Sequence, residues 1–238
     1  MSARIVQQVL YLDVADRLRA MIQAQVLAAG AWIDETKLTA ELGISRTPLR
    51  EALKVLANEG LVRLEPRRGC FVNELSARDL DQIFPLMAML EGRCAFEAAQ
   101  KASVSDLRKL EPLHIELQAY ASLEHIDQYY ALNARIHEAV QALADNRWLS
   151  SLIDNLRKVL SLSRHQSLVA PGRIHESCAE HLAIFAALKA RDAQAAEALT
   201  RGHLMHQLDA LHVLLNQADP DTGALESSSS IGYSGADL

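Results

Sequence analysis

Residues 34–72 read DETKLTAELGISRTPLREALKVLANEGLVRLEPRRGCFV, and this stretch decides the fold. Its first half contains two short segments, 35–42 and 45–58, in which apolar residues recur at helical spacing. They meet at Gly43, a residue type that readily takes the left-handed conformation with which helices end. This half of the stretch therefore predicts two helices joined by a tight turn.

The second half of this stretch no longer has apolar residues at helical spacing. Residues 61–65 and 70–72 are predicted strands, joined by the basic turn 66–69. Upstream, apolar residues at helical spacing predict an amphipathic helix over residues 12–27. Three helices followed by a β-hairpin are typical of a winged helix-turn-helix, which we assign to residues 1–74.

The start of the third helix carries the side chains that we expect to read DNA. Arg46 and Arg50 lie four residues apart in its first turns, and arginine can form two hydrogen bonds to guanine in the major groove. Thr47 lies on the same exposed turn. At the hairpin tip, Arg67, Arg68 and Gly69 are suited to a neighbouring groove or a phosphate. An ordinary solvated helix start and a basic turn are the alternative reading of each piece taken alone.

The net charge of −6 would argue against a nucleic-acid partner if it were spread evenly. It is not. Residues 1–74 hold 10 lysines and arginines against 9 acidic residues, whereas the rest of the chain holds 14 against 21. The three cysteines are widely spaced and form no CxxC pair, which favours reduced thiols over a disulfide framework. No signal peptide and no apolar run of membrane-spanning length is apparent, so we expect a cytoplasmic protein.

Residues 75–216 form the second predicted domain, which is entirely helical. Six segments have helical periodicity: 76–101, 103–121, 125–145, 147–166, 174–190 and 192–216. The fold class is therefore mainly α, with a winged helix-turn-helix followed by a six-helix bundle. Residues 217–238 contain too few apolar residues to fold alone and are predicted to be a disordered tail.

Four polar residues of the bundle suggest a metal site. Asn133 and His137 are four residues apart and share a helix face, while His181 and His203 lie on two later helices. Imidazole suits zinc, nickel, copper and iron, so convergence of the four side chains would form a divalent transition-metal site. Histidines that serve only the core are the alternative. The other histidines are expected to be solvated or locally hydrogen-bonded; those considered are His114, His125, His165, His175, His206 and His212.

The segment ELGISRTPLREALKVLANEGLVRLEPRRGCFV resembles the DNA-binding half of GntR-type bacterial transcription regulators. The resemblance implies that Arg46, Thr47, Arg50 and Gly69 contact operator DNA. Thr36 stands where many members have an arginine, and the adjacent Lys37 is a candidate to replace it.

Residues 76–216 resemble the FCD effector domain of the FadR subfamily, and the helix number favours its six-helix VanR-type branch over the seven-helix FadR type. The resemblance implies a metal held by one Asp and three His, which map onto Asn133, His137, His181 and His203. Because an amide is a weaker, neutral ligand, the metal's charge would be less compensated. We therefore expect the effector to be a small organic acid whose carboxylate completes the coordination.

The residues that would surround this acid are less defined by the sequence. Met87 stands where the first helix of this domain commonly has an arginine. The candidates for polar groups in its place are Arg93, Tyr130, Arg135 and Arg164, and a surface charge or a helix–helix hydrogen bond is the alternative for each.

Together these features predict a ligand-responsive transcription regulator, with repression relieved by the ligand as the expected sign. It would act as a homodimer on a pseudo-palindromic double-stranded operator. Two alternatives are kept: a metal-dependent enzyme that uses the three-histidine site, and a DNA-binding protein with no effector.

Overall fold

The computed structural model describes residues 6–218, with side chains for residues 10–163 and 166–217. Its N-terminal part has three helices and three short strands. In chain order these are α1 (Val6–Gln23), β1 (Trp32–Ile33), α2 (Glu35–Leu42), α3 (Arg46–Asn58), β2 (Val62–Glu65) and β3 (Gly69–Val72). The strands form an antiparallel sheet in the order β1-β3-β2. The winged helix-turn-helix is therefore confirmed.

Two details differ from the prediction. Strand β1 was not anticipated, because a two-residue strand has no pattern of its own and exists only by pairing Trp32 with Phe71 of β3. Helix α1 ends at Gln23 rather than at residue 27. The chain leaves the helix because Gln25 adopts a left-handed φ of 58° and the Val26 N–H donates to the Met21 carbonyl at 2.9 Å.

Local signals position α2 and α3. The Asp34 side chain caps α2 by accepting from the backbone N–H groups of Thr36 and Lys37, and Gly43 ends this helix with a φ of 64°. Helix α3 begins after Ser45 and buries one face. Leu49, Leu53 and Leu56 of that face are at most 1% exposed, so the opposite face of α3 is left to solvent.

The C-terminal part is all helical within the described residues. Its helices are α4 (Ala77–Lys101), α5 (Val104–Ser122), α6 (Ile126–Leu143), α7 (Arg147–Leu160), α8 (Arg164–Ser167), α9 (Arg173–Ala190) and α10 (Ala193–Ala218). The six long helices agree with the six predicted segments. Helix α8 was missed, because the predicted helix 147–166 is interrupted at Ser161, whose hydroxyl donates to the Lys158 carbonyl at 2.6 Å.

Helix α4 runs through the middle of the bundle, against α6, α7, α9 and α10. The three cysteines are buried free thiols. No described helix is long and apolar enough to cross a membrane. Residues 217 and 218, the first two of the predicted tail, belong to α10, and residues 219–238 are outside the described part of the chain.

The end of α7 joins the two parts. Leu162, just after this helix, packs in the same apolar cluster as the core of the N-terminal part. Lys158 of α7 donates to Glu59, the residue that caps the C-terminus of α3, at 3.0 Å. Arg19 of α1 binds the same carboxylate at 2.9 Å. Glu59 therefore links α1, α3 and α7.

Candidate functional site

The first candidate site is the solvent face of α2, α3 and the hairpin. The predicted DNA contacts are all exposed: Thr36, Lys37, Arg46, Thr47, Arg50, Arg67, Arg68 and Gly69. Within the described residues, the Arg46 side chain has no hydrogen bond or ion pair, whereas Arg50 donates to Glu35 at 2.9 Å. Both guanidinium groups lie at the N-terminal end of α3, the end that a recognition helix turns toward base edges.

The hairpin tip is shaped by Gly69 and Trp32. Gly69 has a φ of 104°, and a Cβ atom built there would lie 2.8 Å from the Trp32 indole nitrogen. A side chain at this position would therefore both strain the backbone and displace the indole. Arg68 pairs with Glu65 at 2.6 Å and also lies over the Phe71 ring, while Arg67 projects from the turn with a φ of 61°.

The second candidate site is a cluster of histidines inside the bundle. His137 of α6, His181 of α9 and His203 of α10 are each at most 7% exposed. Their nearest ligand atoms all lie within 4.8 Å of one another. Helices that are far apart in sequence thus bring together the three imidazoles that the sequence singled out.

Two carboxylates orient these rings. Nδ1 of His137 lies 2.6 Å from Glu91 of α4, and Nδ1 of His203 lies 2.6 Å from Glu180 of α9. Because a carboxylate accepts, each Nδ1 carries a hydrogen, and in the neutral form of the ring Nε2 is the nitrogen with the lone pair. Metal-binding histidines in proteins are oriented in this way.

The carboxylates are themselves held in place. Arg157 of α7 donates to Glu91 at 3.2 Å, and Arg173 of α9 donates to Glu180 through both terminal nitrogens. Burial acts to raise the pKa of Glu180, but hydrogen bonds from His203 and Arg173 outweigh it and lower that pKa to about 2. Glu180 is therefore ionised and is a strong acceptor for His203.

His181 is the most deeply enclosed of the three. Burial and the neighbouring imidazoles of His203 and His137 hold its pKa well below the ordinary value, so the ring is neutral near pH 7. Its Nε2 is buried and has no hydrogen-bond partner among the described residues. A buried nitrogen without a partner is costly unless a ligand supplies one.

Asn133 completes the predicted set. It lies on α6 one turn before His137, is 4% exposed, and its Oδ1 has no hydrogen-bond partner among the described residues. Imidazoles with oriented rings and a buried amide oxygen match the preferences of a divalent transition metal. The residues present therefore fit such an ion.

Two cavities are lined by members of the predicted metal-binding set, one by His137 and His181 and the other by Asn133, and Arg157 lines both. The enclosed cavity has a volume of about 20 Å³ and is lined by His137 and His181, among others. The open pocket has a volume of about 380 Å³ and lies between α6, α7 and Gln23 of α1. Tyr130 and Asn133 line this open pocket. A ligand in it would contact both parts of the molecule.

Met87, Arg93 and Arg135, which were also predicted to contact the effector, do not line these two cavities. Met87 is fully buried in the apolar core. Arg93 is exposed and pairs with Glu97 at 2.9 Å. Arg135 is exposed, since it lies two residues from both Asn133 and His137 and so points to another helix face. The side chain of Arg164 is outside the described residues.

Sequence reasoning missed the residues that support the cluster. Glu91, Arg157 and Glu180 have no recognisable motif. Glu180 is next to His181 in the sequence, but its carboxylate meets His203 on the next helix. His114 was expected to be solvated or locally hydrogen-bonded; it is buried and its Nδ1 lies 2.9 Å from the Leu110 carbonyl.

Comparison with known proteins agrees with this architecture. Residues 10–72 match the bacterial regulatory proteins of the gntR family, and residues 82–206 match the FCD domain. An HTH-type transcriptional regulator of Streptomyces ambofaciens is 31% identical over 83% of each chain. The HTH-type transcriptional repressor RspR of Escherichia coli is 27% identical over 79% of this chain and 82% of RspR.

Among solved structures, E. coli McbR/YncC superimposes with a TM-score of 0.76 and 25% identity, over 87% of this chain and 99% of that one. The two sequence relatives are a transcriptional regulator and a transcriptional repressor, so the enzyme alternative is not supported. The two family matches cover the winged helix-turn-helix and most of the helical domain with the buried histidine cluster. The chain therefore belongs to the GntR family of bacterial transcription regulators with an FCD domain.

Proposed function

We propose that this regulator is a repressor that binds operator DNA as a homodimer and is controlled by a small organic acid bound at a divalent metal. The observation that carries the proposal is the convergence of His137, His181 and His203 to within 4.8 Å, with carboxylates orienting two of the rings. The matched ranges support the division into a DNA-binding domain at residues 1–74 and an effector and dimerisation domain at residues 75–216.

In this proposal Arg46 and Arg50 contact base edges, while Thr36, Lys37, Thr47 and the hairpin tip at residues 67–69 contact phosphates or a neighbouring groove. The exposure of all these residues to solvent supports the assignment. Glu35 holds the Arg50 guanidinium at 2.9 Å in the free protein. Base contact would exchange this exposed ion pair, which is worth little in water, for hydrogen bonds to DNA.

His137, His181, His203 and Asn133 would hold the metal, which would supply a positive centre for a carboxylate. Zinc and nickel are the candidates we favour, since both accept imidazole. Tyr130 and Arg157 line the adjoining open pocket and would contact the rest of the acid. Its position between α6, α7 and α1 means that filling it changes contacts between the two domains.

The link from this pocket to DNA is the end of α7. Arg157 contacts Glu91, which holds His137, and the next residue, Lys158, contacts Glu59 at the end of the recognition helix. A shift of α7 on ligand binding would therefore move α3 and change the spacing of two recognition helices in a dimer. A regulator of fixed conformation, without an effector, would have no use for this connection.

An apolar face of the effector domain supports the homodimer. Leu86 and Met89 of α4 and Trp148 and Leu152 of α7 are each more than half exposed. Helices α4 and α7 are neighbours in the bundle. Large exposed apolar residues are enriched at protein interfaces. We keep the VanR-type branch as part of the proposal on the basis of the six long helices, although the short helix α8 brings the described helices of this domain to seven.

Calorimetry on the full chain tests the proposal. The metal-free protein should bind Ni²⁺ or Zn²⁺ at one site per chain, and small carboxylic acids should bind only after the metal. An operator selected from random duplexes should then give a gel shift that the bound acid weakens. Acid binding without metal, or acid binding with no effect on the gel shift, would refute the proposed control.

A further inference from the structure

The enclosed cavity beside the histidine cluster contains a polar group to which the proposed function gives no role, the amide of Gln141. Gln141 lies on α6 one turn after His137 and is 7% exposed. Its Nε2 donates to the Ser150 carbonyl at 3.2 Å and to Asp154 at 2.8 Å. Both N–H groups of the amide are therefore used by α7.

These two bonds fix which way the amide points. Exchanging the nitrogen and the oxygen would place Oε1 against a carbonyl and a carboxylate, which only accept hydrogen bonds. Oε1 is thus the end of the amide left for the cavity that Gln141 lines. It is buried and has no hydrogen-bond partner among the described residues. A buried acceptor of this kind costs about 1–3 kcal/mol unless a donor is supplied.

His114 of α5 gives the same cavity a second acceptor. Its Nδ1 lies 2.9 Å from the Leu110 carbonyl, so the hydrogen is on Nδ1 and the lone pair is on Nε2. The ring stacks on Phe185 at 4.2 Å and lines the cavity. Burial lowers the pKa of His114, which keeps the ring neutral. The cavity wall therefore requires a hydrogen-bond donor from its occupant.

The surroundings select the kind of donor. An ammonium group would meet the Arg157 guanidinium, which also lines the cavity, and the charge of a metal at the histidines. A carboxylate has no hydrogen to donate. A hydroxyl is neutral, donates one hydrogen bond, and fits a volume of about 20 Å³, which accommodates one water-sized group.

We propose that the effector is a hydroxy acid and that Gln141 recognises it by accepting a hydrogen bond from its hydroxyl group. This inference rests on the proposed function, because the carboxylate of the same molecule would be placed by the metal. Gln141 is then the residue that distinguishes a hydroxy acid from the corresponding deoxy acid, and His114 is the second acceptor available to the hydroxyl.

The test compares matched acids on the nickel-loaded full chain by calorimetry. The probes are L-lactate with propionate and glycolate with acetate. Wild type should bind each hydroxy acid about tenfold or more tightly than its deoxy partner. Since hydroxy acids also chelate metals better, the decisive measurement is the change in this ratio in Gln141→Met. We expect the ratio to fall about tenfold while propionate affinity stays the same.

Gln207→Met is the matched control. Gln207 is equally buried, donates to Ser167 and has an Oε1 without a partner among the described residues, but it does not line this cavity. It should leave the ratio unchanged. If Gln141→Met does not fold, 2-fluoropropionate provides a test on wild type alone, since it is close to lactate in size but lacks the donor. It should bind like propionate.

The possible failures are distinguishable. An unchanged ratio in Gln141→Met, equal affinities for the paired acids in wild type, or 2-fluoropropionate binding as tightly as lactate would overturn the hydroxyl assignment and leave the organic-acid effector standing. Failure of all four acids to bind the nickel-loaded protein would refute the organic-acid effector, and this assignment with it.

Discussion

The DNA-binding face and the histidine cluster are built in opposite ways. The first is a set of exposed side chains contributed by two adjacent helices and a hairpin within residues 36–69. The second is a set of buried side chains contributed by α6, α9 and α10, with Glu91 supplied by α4. An exposed face can lose a side chain without disturbing its neighbours, whereas each member of the buried cluster depends on another. Substitutions in the two regions should therefore differ in kind.

The largest effect is expected from His181→Ala. It removes the most enclosed of the three imidazoles, and we expect the affinity for Ni²⁺ to fall by at least about 100-fold, since even an outer-shell change typically costs 10–100-fold. Operator affinity in the absence of ligand should remain within about twofold. Metal titration and gel shift on the same preparation measure both quantities.

His175→Ala is the control for that variant, because His175 lies on the same helix but is exposed. It should bind metal like wild type. Metal binding that is equally strong in His181→Ala and wild type would contradict the three-histidine site.

Arg50→Ala should produce the converse result. Loss of a bidentate base contact costs about 1–3 kcal/mol, so operator affinity should fall roughly 10- to 100-fold while metal affinity stays unchanged. Arg93→Ala is a suitable control, since Arg93 lies in the helical domain, is exposed and, like Arg50, pairs with a carboxylate. If both variants weakened DNA binding equally, the loss would come from removing a positive charge in general and not from losing a base contact of Arg50.

The same contrast explains what could be predicted from the sequence. The recognition helix and hairpin are consecutive, so their spacing, turn residues and exposed arginines could be interpreted together. Strand β1 was missed because it is defined only by its pairing with a distant strand. His137, His181 and His203 could be named, but their convergence depends on how three helices pack.

Residues that act only through another side chain were the least predictable. Glu91 lies 46 positions from His137 in the chain, and no local pattern relates the two. Gln141 was not anticipated either, since its importance comes from two hydrogen bonds to α7 that fix the orientation of its amide. By contrast, Met87 and Arg93 of α4 were considered as residues near the effector. In the packed bundle Met87 lies in the core and Arg93 lies at the surface.

Glu91→Gln tests whether the carboxylates matter to the cluster. An amide has only one accepting oxygen and would turn its N–H groups toward either His137 or Arg157, both of which donate to Glu91. We expect metal affinity to fall about 10-fold, with operator affinity unchanged. Glu97→Gln is the matched control on the same helix, since Glu97 is also buried but pairs with Arg93 and Lys101. A metal affinity that falls equally in both variants would indicate loosening of α4 rather than loss of the His137 contact.

The smallest effect is expected where the two regions meet, at Glu59. Glu59→Gln keeps the shape of the side chain but weakens its contacts with Arg19 and Lys158, which are only partly buried. Neither operator affinity without ligand nor metal affinity should change by more than about twofold. The ratio of operator affinities without and with a bound acid should shrink by about fivefold, because a coupling free energy of about 1 kcal/mol would no longer pass from α7 to α3. Glu111→Gln, which alters an exposed ion pair with Lys189 far from this junction, should leave that ratio unchanged. An intact ratio in Glu59→Gln would mean that the effector domain acts on DNA through the dimer arrangement alone, without the contact between Lys158 and the end of the recognition helix.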